Sequence, residues 1–349
     1  MSEGYSVGSG LSSAAGYPRT LNTRPIDVID EVEVAPRQVG GWFWLPVGLV
    51  AGIAGLLPWL LTGMTVPPQN LWATDASHAD LPAALLPLSQ YRLGSVVVLF
   101  MTGGAIAGLI ARSAQRRWSA SGFWSLAFGV VLVQLFAIVQ SSVVVGMGLR
   151  MGMASFAYLA SAVLVGILAA VGGFVVFALI ASAPRGGALL GVAIAAVPAA
   201  AWVAAFPAFL SGARSNDVVV LIDVWGPAVI VGVAIAVCGL GSFGRVIAAL
   251  LALAIVWALP AVNAGVHAIV APHALAQTRT ELVSHGIRVF RENILLFDTS
   301  LLPLAAGAVI AILGLVLHAV IGRARRRRDY TYDDYEQYDE PYKPPYATD

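Results

Sequence analysis

The chain has 349 residues, of which 58% are hydrophobic and only 11% are charged. An ordinary soluble domain has roughly 45–50% apolar and about 25% charged residues, so the surplus of apolar side chains must face lipid. The formal net charge of +1 gives no field that would recruit nucleic acid, and the one cysteine, Cys238, excludes an internal disulfide and a cysteine-based metal site.

Residues 1–41 form a polar segment that is rich in serine and glycine and carries several acidic residues towards its end. A signal peptide would need a positively charged start followed directly by an apolar stretch, and this segment lacks that arrangement. We therefore expect a disordered arm on the cytoplasmic side of the membrane.

A helix that crosses a bilayer needs about 20 mostly apolar residues, and runs of that kind recur between residues 42 and 322. The polar stretch 211–217 is the weakest break between two of these runs. The pattern predicts one all-α, polytopic transmembrane bundle over 42–322 with about eight spans. Their cores lie near 42–63, 94–112, 122–147, 155–182, 186–210, 218–241, 246–270 and 301–322.

The arginines predict the orientation of the bundle, because Lys and Arg near the ends of spans stay on the cytoplasmic side. With the N-terminus inside, eleven arginines flank the cytoplasmic ends and six flank the outer ends. Three of those six lie in one loop of about thirty residues, which can be exported despite its charge. We therefore predict that both termini are cytoplasmic.

Two outer loops, 64–93 and 271–300, are long enough to fold. The first contains the apolar stretch from Leu81 to Leu88, which we expect to lie along the membrane surface as a short interfacial segment. The second places apolar residues at helical spacing with charged residues on the other faces, which predicts an amphipathic helix. That helix either covers the outer mouth of the bundle or docks a partner.

Residues 323–349 follow the last span and divide into a basic and an acidic part. The run Arg325–Arg328 is typical of a stop-transfer signal that also binds anionic lipid headgroups, each arginine contributing on the order of 1 kcal/mol near the surface. The acidic end has too few aliphatic residues to bury a core, so we expect it to be disordered. It carries six of the ten tyrosines of the chain, Tyr330, Tyr332, Tyr335, Tyr338, Tyr342 and Tyr346. They form either a binding segment for a cytoplasmic protein or a bland solvated tail.

Ionisable groups inside spans are costly and usually functional, and the sequence has few of them. Asp223 lies a few residues into the sixth predicted span. If Pro227 begins the regular helix, Asp223 is an interfacial residue stabilised by the helix dipole. The alternative is a cation or proton site that is reached from the outer face and shared with Asn263 and His267 of the next span.

Gln134 and Gln140 place amides in the third span, where an amide in hydrocarbon needs a partner on another helix. Structural bonding between helices is the simplest interpretation. Pro198 and Pro260 lie far enough inside their spans to bend them.

The outer histidines His267, His273 and His285 are accompanied by no HExxH motif, no carboxylates paired at close helical spacing and no cysteine ligands, and the sequence has no P-loop and no GxGxxG after a strand. We therefore expect no catalytic, cofactor or metal site, and a membrane enzyme comes third among the function classes. Two classes come before it, in this order. One is a non-catalytic scaffold or accessory subunit for cell-envelope or membrane-complex assembly; the other is a permease or exporter for a neutral or lipid-like small molecule. The second requires a water-accessible cavity, to which Pro198, Pro260, Gln134 and Gln140 would contribute, whereas a scaffold can be close-packed. The Arg- and Ala-rich composition favours a bacterial cytoplasmic membrane.

Overall fold

The computed structural model describes residues 40–66, 69, 71–73, 81–115, 120–211, 217–270, 279–295 and 301–338. Within these ranges the chain is helical and forms no strand. The helices are α1 (Gly41–Leu61), α2 (Leu93–Ser113), α3 (Ala120–Gly148), α4 (Met153–Ser182), α5 (Arg185–Ser211), α6 (Asp217–Cys238), α7 (Phe243–Val270), α8 (Arg279–Ile294) and α9 (Leu302–Tyr338).

Eight of these helices, all except α8, are long and apolar enough to cross a membrane. The predicted all-α bundle of about eight spans is thus confirmed. An even number of spans puts the start of α1 and the far end of α9 on the same side of the bilayer. With the orientation predicted from the arginines, that side is the cytoplasm, and α1 runs outward.

The backbone of α9 stays helical to Tyr338 and so passes beyond the basic run. The predicted tail therefore begins as a continuation of the last helix. The side chains after Ile321, including Arg325–Arg328 and the tyrosines, lie outside the described residues, as do the backbone after Tyr338 and the predicted arm before Gly40.

Glycines set the closest helix contacts in the first half of the bundle. Gly104 of α2 lies against the backbone of Gly173 of α4, and a side chain at Gly55 of α1 would come within 2.7 Å of the Cα atom of Gly103. Small residues let helix backbones approach closely, and van der Waals packing then replaces the hydrophobic effect that is absent in lipid. Together, α1 to α4 form a tightly packed group.

The second half of the bundle is looser. Both α6 and α7 pack on α5, yet they touch each other little. On its other side α6 packs against α9, where a side chain at Gly232 would lie 2.6 Å from the carbonyl oxygen of Gly307. Even so, α5, α6 and α7 share one buried cluster, which includes Ala196, Ile235 and Ala252.

The apolar stretch of the first outer loop is inserted into the bundle and does not lie on the membrane surface. Leu81, Leu86 and Leu88 are buried, the last two completely. Two prolines keep this stretch from closing a regular helix, so its backbone amides need other acceptors. The side chain of Gln140 accepts from the amide of Leu85 at 2.9 Å, and the hydroxyl of Ser141 accepts from the amide of Leu86 at 2.8 Å.

The second outer loop contains the predicted amphipathic helix, α8. It packs along α7, where a side chain at Gly265 would lie 3.0 Å from the carbonyl oxygen of Gly286. The indole N–H of Trp257 donates to the carbonyl of Ile294 at 3.0 Å. None of the described side chains of α8 lines the larger cavity of the bundle. The helix therefore packs along α7 without forming a wall of that cavity.

Candidate functional site

A cavity of about 650 Å³ opens between α1, α2, α5, α6 and α7. Its walls include the outer ends of α1 and α2 and reach Ile194, Val197 and Pro198 in the middle of α5. With the predicted orientation, this cavity enters the bundle from the outer side. Most of its wall comes from α1, α2, α5 and α7, and α6 contributes Asp223.

Three prolines inside helices line this cavity. Pro58 lies within α1, Pro198 within α5 and Pro260 within α7. Proline has no N–H and clashes with the carbonyl four residues earlier, so the helix loses a hydrogen bond and the freed carbonyl needs another partner. Such irregular backbone is tolerated at membrane depth where it lines a cavity, which agrees with the place of all three prolines.

The cavity brings together the three polar residues of the sixth and seventh spans. Asp223 comes from α6, while Asn263 and His267 come from α7 and are one helical turn apart. All three are exposed. In the part of the chain that the structure describes, none of these side chains has a hydrogen-bond or ion-pair partner. They are therefore free to bind a molecule that enters the cavity.

His267 reaches across to the beginning of α2. A methyl group at Gly94 would lie 2.9 Å from Nε2 and 3.3 Å from Cε1 of the imidazole. Only glycine leaves room for this approach. The ring of His267 is thus held between α7 and the first turn of α2.

Aromatic residues form another part of the wall. The indole N–H of Trp59 donates to the carbonyl of Ala84 at 2.8 Å, and that of Trp202 donates to the carbonyl of Gly55 at 3.0 Å. The guanidinium carbon of Arg92 lies 5.8 Å from the centre of a Trp59 ring, within the range of a cation–π interaction. These bonds fix both indoles, and the ring of Trp59 is covered by Arg92 and buried.

The inserted loop supplies Tyr91 and Arg92 to the same cavity. Its position depends on Gln140, through the bond to Leu85, and on Tyr158, whose hydroxyl accepts from the amide of Gln90 at 3.0 Å. Gln140 therefore acts on the cavity only through the loop, and its own side chain does not line it.

Gln134 is buried, with 1% of its surface exposed, and its Nε2 donates to the carbonyl of Phe100 at 3.2 Å. This bond joins α3 to α2, away from the cavity. The hypothesis that both glutamines contribute to a substrate cavity is thus not supported by their positions, whereas Pro198 and Pro260 do line it.

The structure also corrects the interpretation of Asp223 as a residue at a helix start. The helix α6 begins at Asp217, and Pro227 lies inside it. Asp217 is the acid in the first turn, where the helix dipole acts. Asp223 lies further in, and its place beside the cavity needs another explanation.

A second cavity of about 140 Å³ lies on the other side of Asp223. Asp223 and Pro260 line both cavities, and Asn293 of α8 and Pro303 of α9 line only the smaller one. The carboxylate therefore stands at the boundary between the large outer cavity and a small space beside α9.

Sequence reasoning missed the aromatic part of this wall. Trp59 and Trp202 lie in apolar runs, where a tryptophan has no distinctive spacing, and Arg92 counted only as a flanking charge. Asp223, Asn263 and His267 could be recognised in the sequence because each interrupts an apolar run. Within the described residues, no three His, Cys, Asp or Glu side chains are grouped so that they could hold a metal ion.

No protein-family model, curated protein or solved structure matches this chain. The cavity and its residues are therefore the features that bear on function.

Proposed function

We propose that the protein is a permease or exporter that binds a neutral or lipid-like small molecule in the outer cavity. The observation that carries the proposal is the cavity itself, which enters a bundle otherwise packed through small residues. We further propose that it acts without catalysing a reaction and resides in the bacterial cytoplasmic membrane.

The size and walls of the cavity support this function. Ligand pockets usually have volumes of roughly 300–1,000 Å³ and combine mostly apolar walls with a few polar groups that fix orientation. The cavity has about 650 Å³ and brings Asp223, Asn263 and His267 together within walls of apolar and aromatic side chains. A small amphipathic molecule fits both its volume and its surface.

A purely structural bundle gains by filling such a space. Van der Waals contact between helices is the main source of stability in lipid, and helices that border an open cavity forgo such contacts. A cavity that opens to one face and keeps three polar side chains unpaired is better explained by a ligand than by a packing fault.

Scaffolding of an envelope or membrane complex is the second candidate. One observation favours it: Val283 and Ile287 of α8 are about half exposed outside the eight spans, at 49% and 48%. The acidic tail and Arg325–Arg328 would add contacts with a cytoplasmic protein and with anionic lipid.

Truncation after Arg328 removes the six tyrosines and keeps the stop-transfer charges. Under this candidate the truncated protein still inserts but loses crosslinked partners; identical partners for both chains would count against tail docking.

Filling the cavity tests the permease proposal. Ala264 lines the cavity, whereas Ala254 of the same helix is exposed outside both cavities. We expect Ala264→Trp to abolish co-purification of small molecules that mass spectrometry detects on the wild type, and Ala254→Trp to retain them. The proposal fails if all three proteins carry the same molecules in the same amounts.

A further inference from the structure

We infer that the cavity selects lipophilic amines, in which a protonated amino group binds Asp223 and an apolar body packs along the aromatic and aliphatic wall. This inference rests on the proposed function and narrows its lipid-like alternative to molecules that carry one positive charge.

The balance of charge in the cavity favours a cationic ligand. Asp223 is the only acidic residue among its described lining residues, and its side chain has no protein partner there. The cationic counterpart, Arg92, already lies against Trp59. The acidic group without a partner therefore attracts a cation, and the exposed side chain of Asp223 is accessible to one that enters the cavity.

Acceptors for an ammonium group line the same cavity. A primary ammonium group has three N–H donors. The carboxylate of Asp223 on α6 and the amide oxygen of Asn263 on α7 are acceptors in the cavity wall, and His267 lines it one turn further along α7. An alcohol brings one donor and no charge, and it would leave the carboxylate without a counter-ion. A carboxylic acid would add a second negative charge beside Asp223.

The apolar and aromatic wall of the cavity fits the rest of the ligand. Trp202 lines the cavity with its indole N–H already bonded, and the wall continues to Val97, Met101 and Ile194. Indole faces attract cations and pack well against apolar groups, and methionine adapts to different shapes. The wall therefore favours an apolar, preferably aromatic, body of moderate length.

The test uses three probes of one shape: 4-phenylbutylamine, 4-phenylbutan-1-ol and 4-phenylbutyrate. Binding to the purified full-length protein is measured by thermal shift and by quenching of tryptophan fluorescence. We expect the amine to bind roughly tenfold or more tightly than the alcohol, as a charge-assisted hydrogen bond predicts, and the acid to bind most weakly. This comparison uses the wild type and does not depend on the folding of any variant.

Variants then assign the preference to one residue. Asp223→Asn should reduce binding of the amine to the level of the alcohol. Asp217→Asn, an acid in the first turn of the same helix outside both cavities, should retain the preference. Ala264→Trp should lose both probes.

The outcomes separate the inference from the proposed function. If amine and alcohol bind equally, or if the acid binds best, and Ala264→Trp still abolishes binding, the cavity is a ligand site but the amine selectivity is wrong. If the wild type binds none of the three probes, and Ala264→Trp also co-purifies with the same small molecules as the wild type, both fail.

Discussion

At the scale of single residues, Asp223, Asn263 and His267 define the chemistry of the cavity from two different helices. The sequence indicates them because each interrupts an apolar run. Their convergence was only one of two interpretations, since distances between helices are not encoded in spacing along the chain. The role of Gly94 could not be predicted, because it depends on the ring of His267 from a distant span.

Gly94 provides a test of the position of His267. A methyl group there would lie 2.9 Å from Nε2 of His267, so the imidazole has to move. The two helices can keep their positions, because the imidazole is the end of a flexible side chain. Alanine is also more favourable than glycine in a helix by about 1 kcal/mol. We expect Gly94→Ala to keep or raise the melting temperature and to weaken binding of 4-phenylbutylamine severalfold.

The control for this variant is Gly244→Ala near the start of α7. Nothing lies within 4 Å of a side chain added at Gly244, so binding should stay close to wild type while the melting temperature stays or rises, as it does for Gly94→Ala. Unchanged amine binding by Gly94→Ala would remove His267 from the proposed site.

At the scale of elements, the spans were predictable and the inserted loop was not. A span is specified by its own length and hydrophobicity, and all eight predicted runs correspond to helices in the structure. The stretch from Leu81 to Leu88 is equally apolar, but its position depends on Gln140 and Ser141, which lie 55 residues further along the chain. The burial of this stretch therefore depends on contacts with distant residues and not on its own sequence.

Two adjacent glycines of α4 test the packing of α2 against α4. A side chain at Gly173 would lie 2.6 Å from the carbonyl oxygen of Phe100, whereas one at Gly172 would lie 3.8 Å from its nearest neighbour, the methyl carbon of Met101. Overpacking against backbone costs about 1–3 kcal/mol. We expect Gly173→Ala to lower the melting temperature clearly and Gly172→Ala to leave it near wild type. Equal effects of the two substitutions would contradict the close approach of these helices.

At the scale of the whole molecule, the bundle consists of a compact group, α1 to α4, and a looser group around α5. Composition predicts that the chain lies in a membrane, because a surface with so many apolar side chains is stable in lipid and not in water. Composition does not predict where the bundle leaves space. The cavity lies where α5 and α7 face the outer ends of α1 and α2, and that arrangement follows from helix directions that local sequence does not specify.

The central claim is that this cavity is open to the outer side and holds a ligand. The most direct measurement is labelling of single cysteines in intact cells with a membrane-impermeant, cationic methanethiosulfonate, in a Cys238→Ser background. Ala201 lines the cavity, Met151 is fully exposed between α3 and α4, and Ala254 is exposed outside both cavities.

We expect Ala201→Cys and Met151→Cys to react, because the predicted orientation places Met151 on the outer side and a cavity open to that side exposes Ala201 to the reagent. Ala254→Cys should stay unlabelled, because a thiol in lipid does not ionise. The amine 4-phenylbutylamine should slow labelling at position 201 and leave position 151 unaffected. If Met151→Cys reacts while Ala201→Cys is as inert as Ala254→Cys, the cavity is not open to the outside. If Met151→Cys reacts only after the cells are lysed, the predicted orientation is reversed.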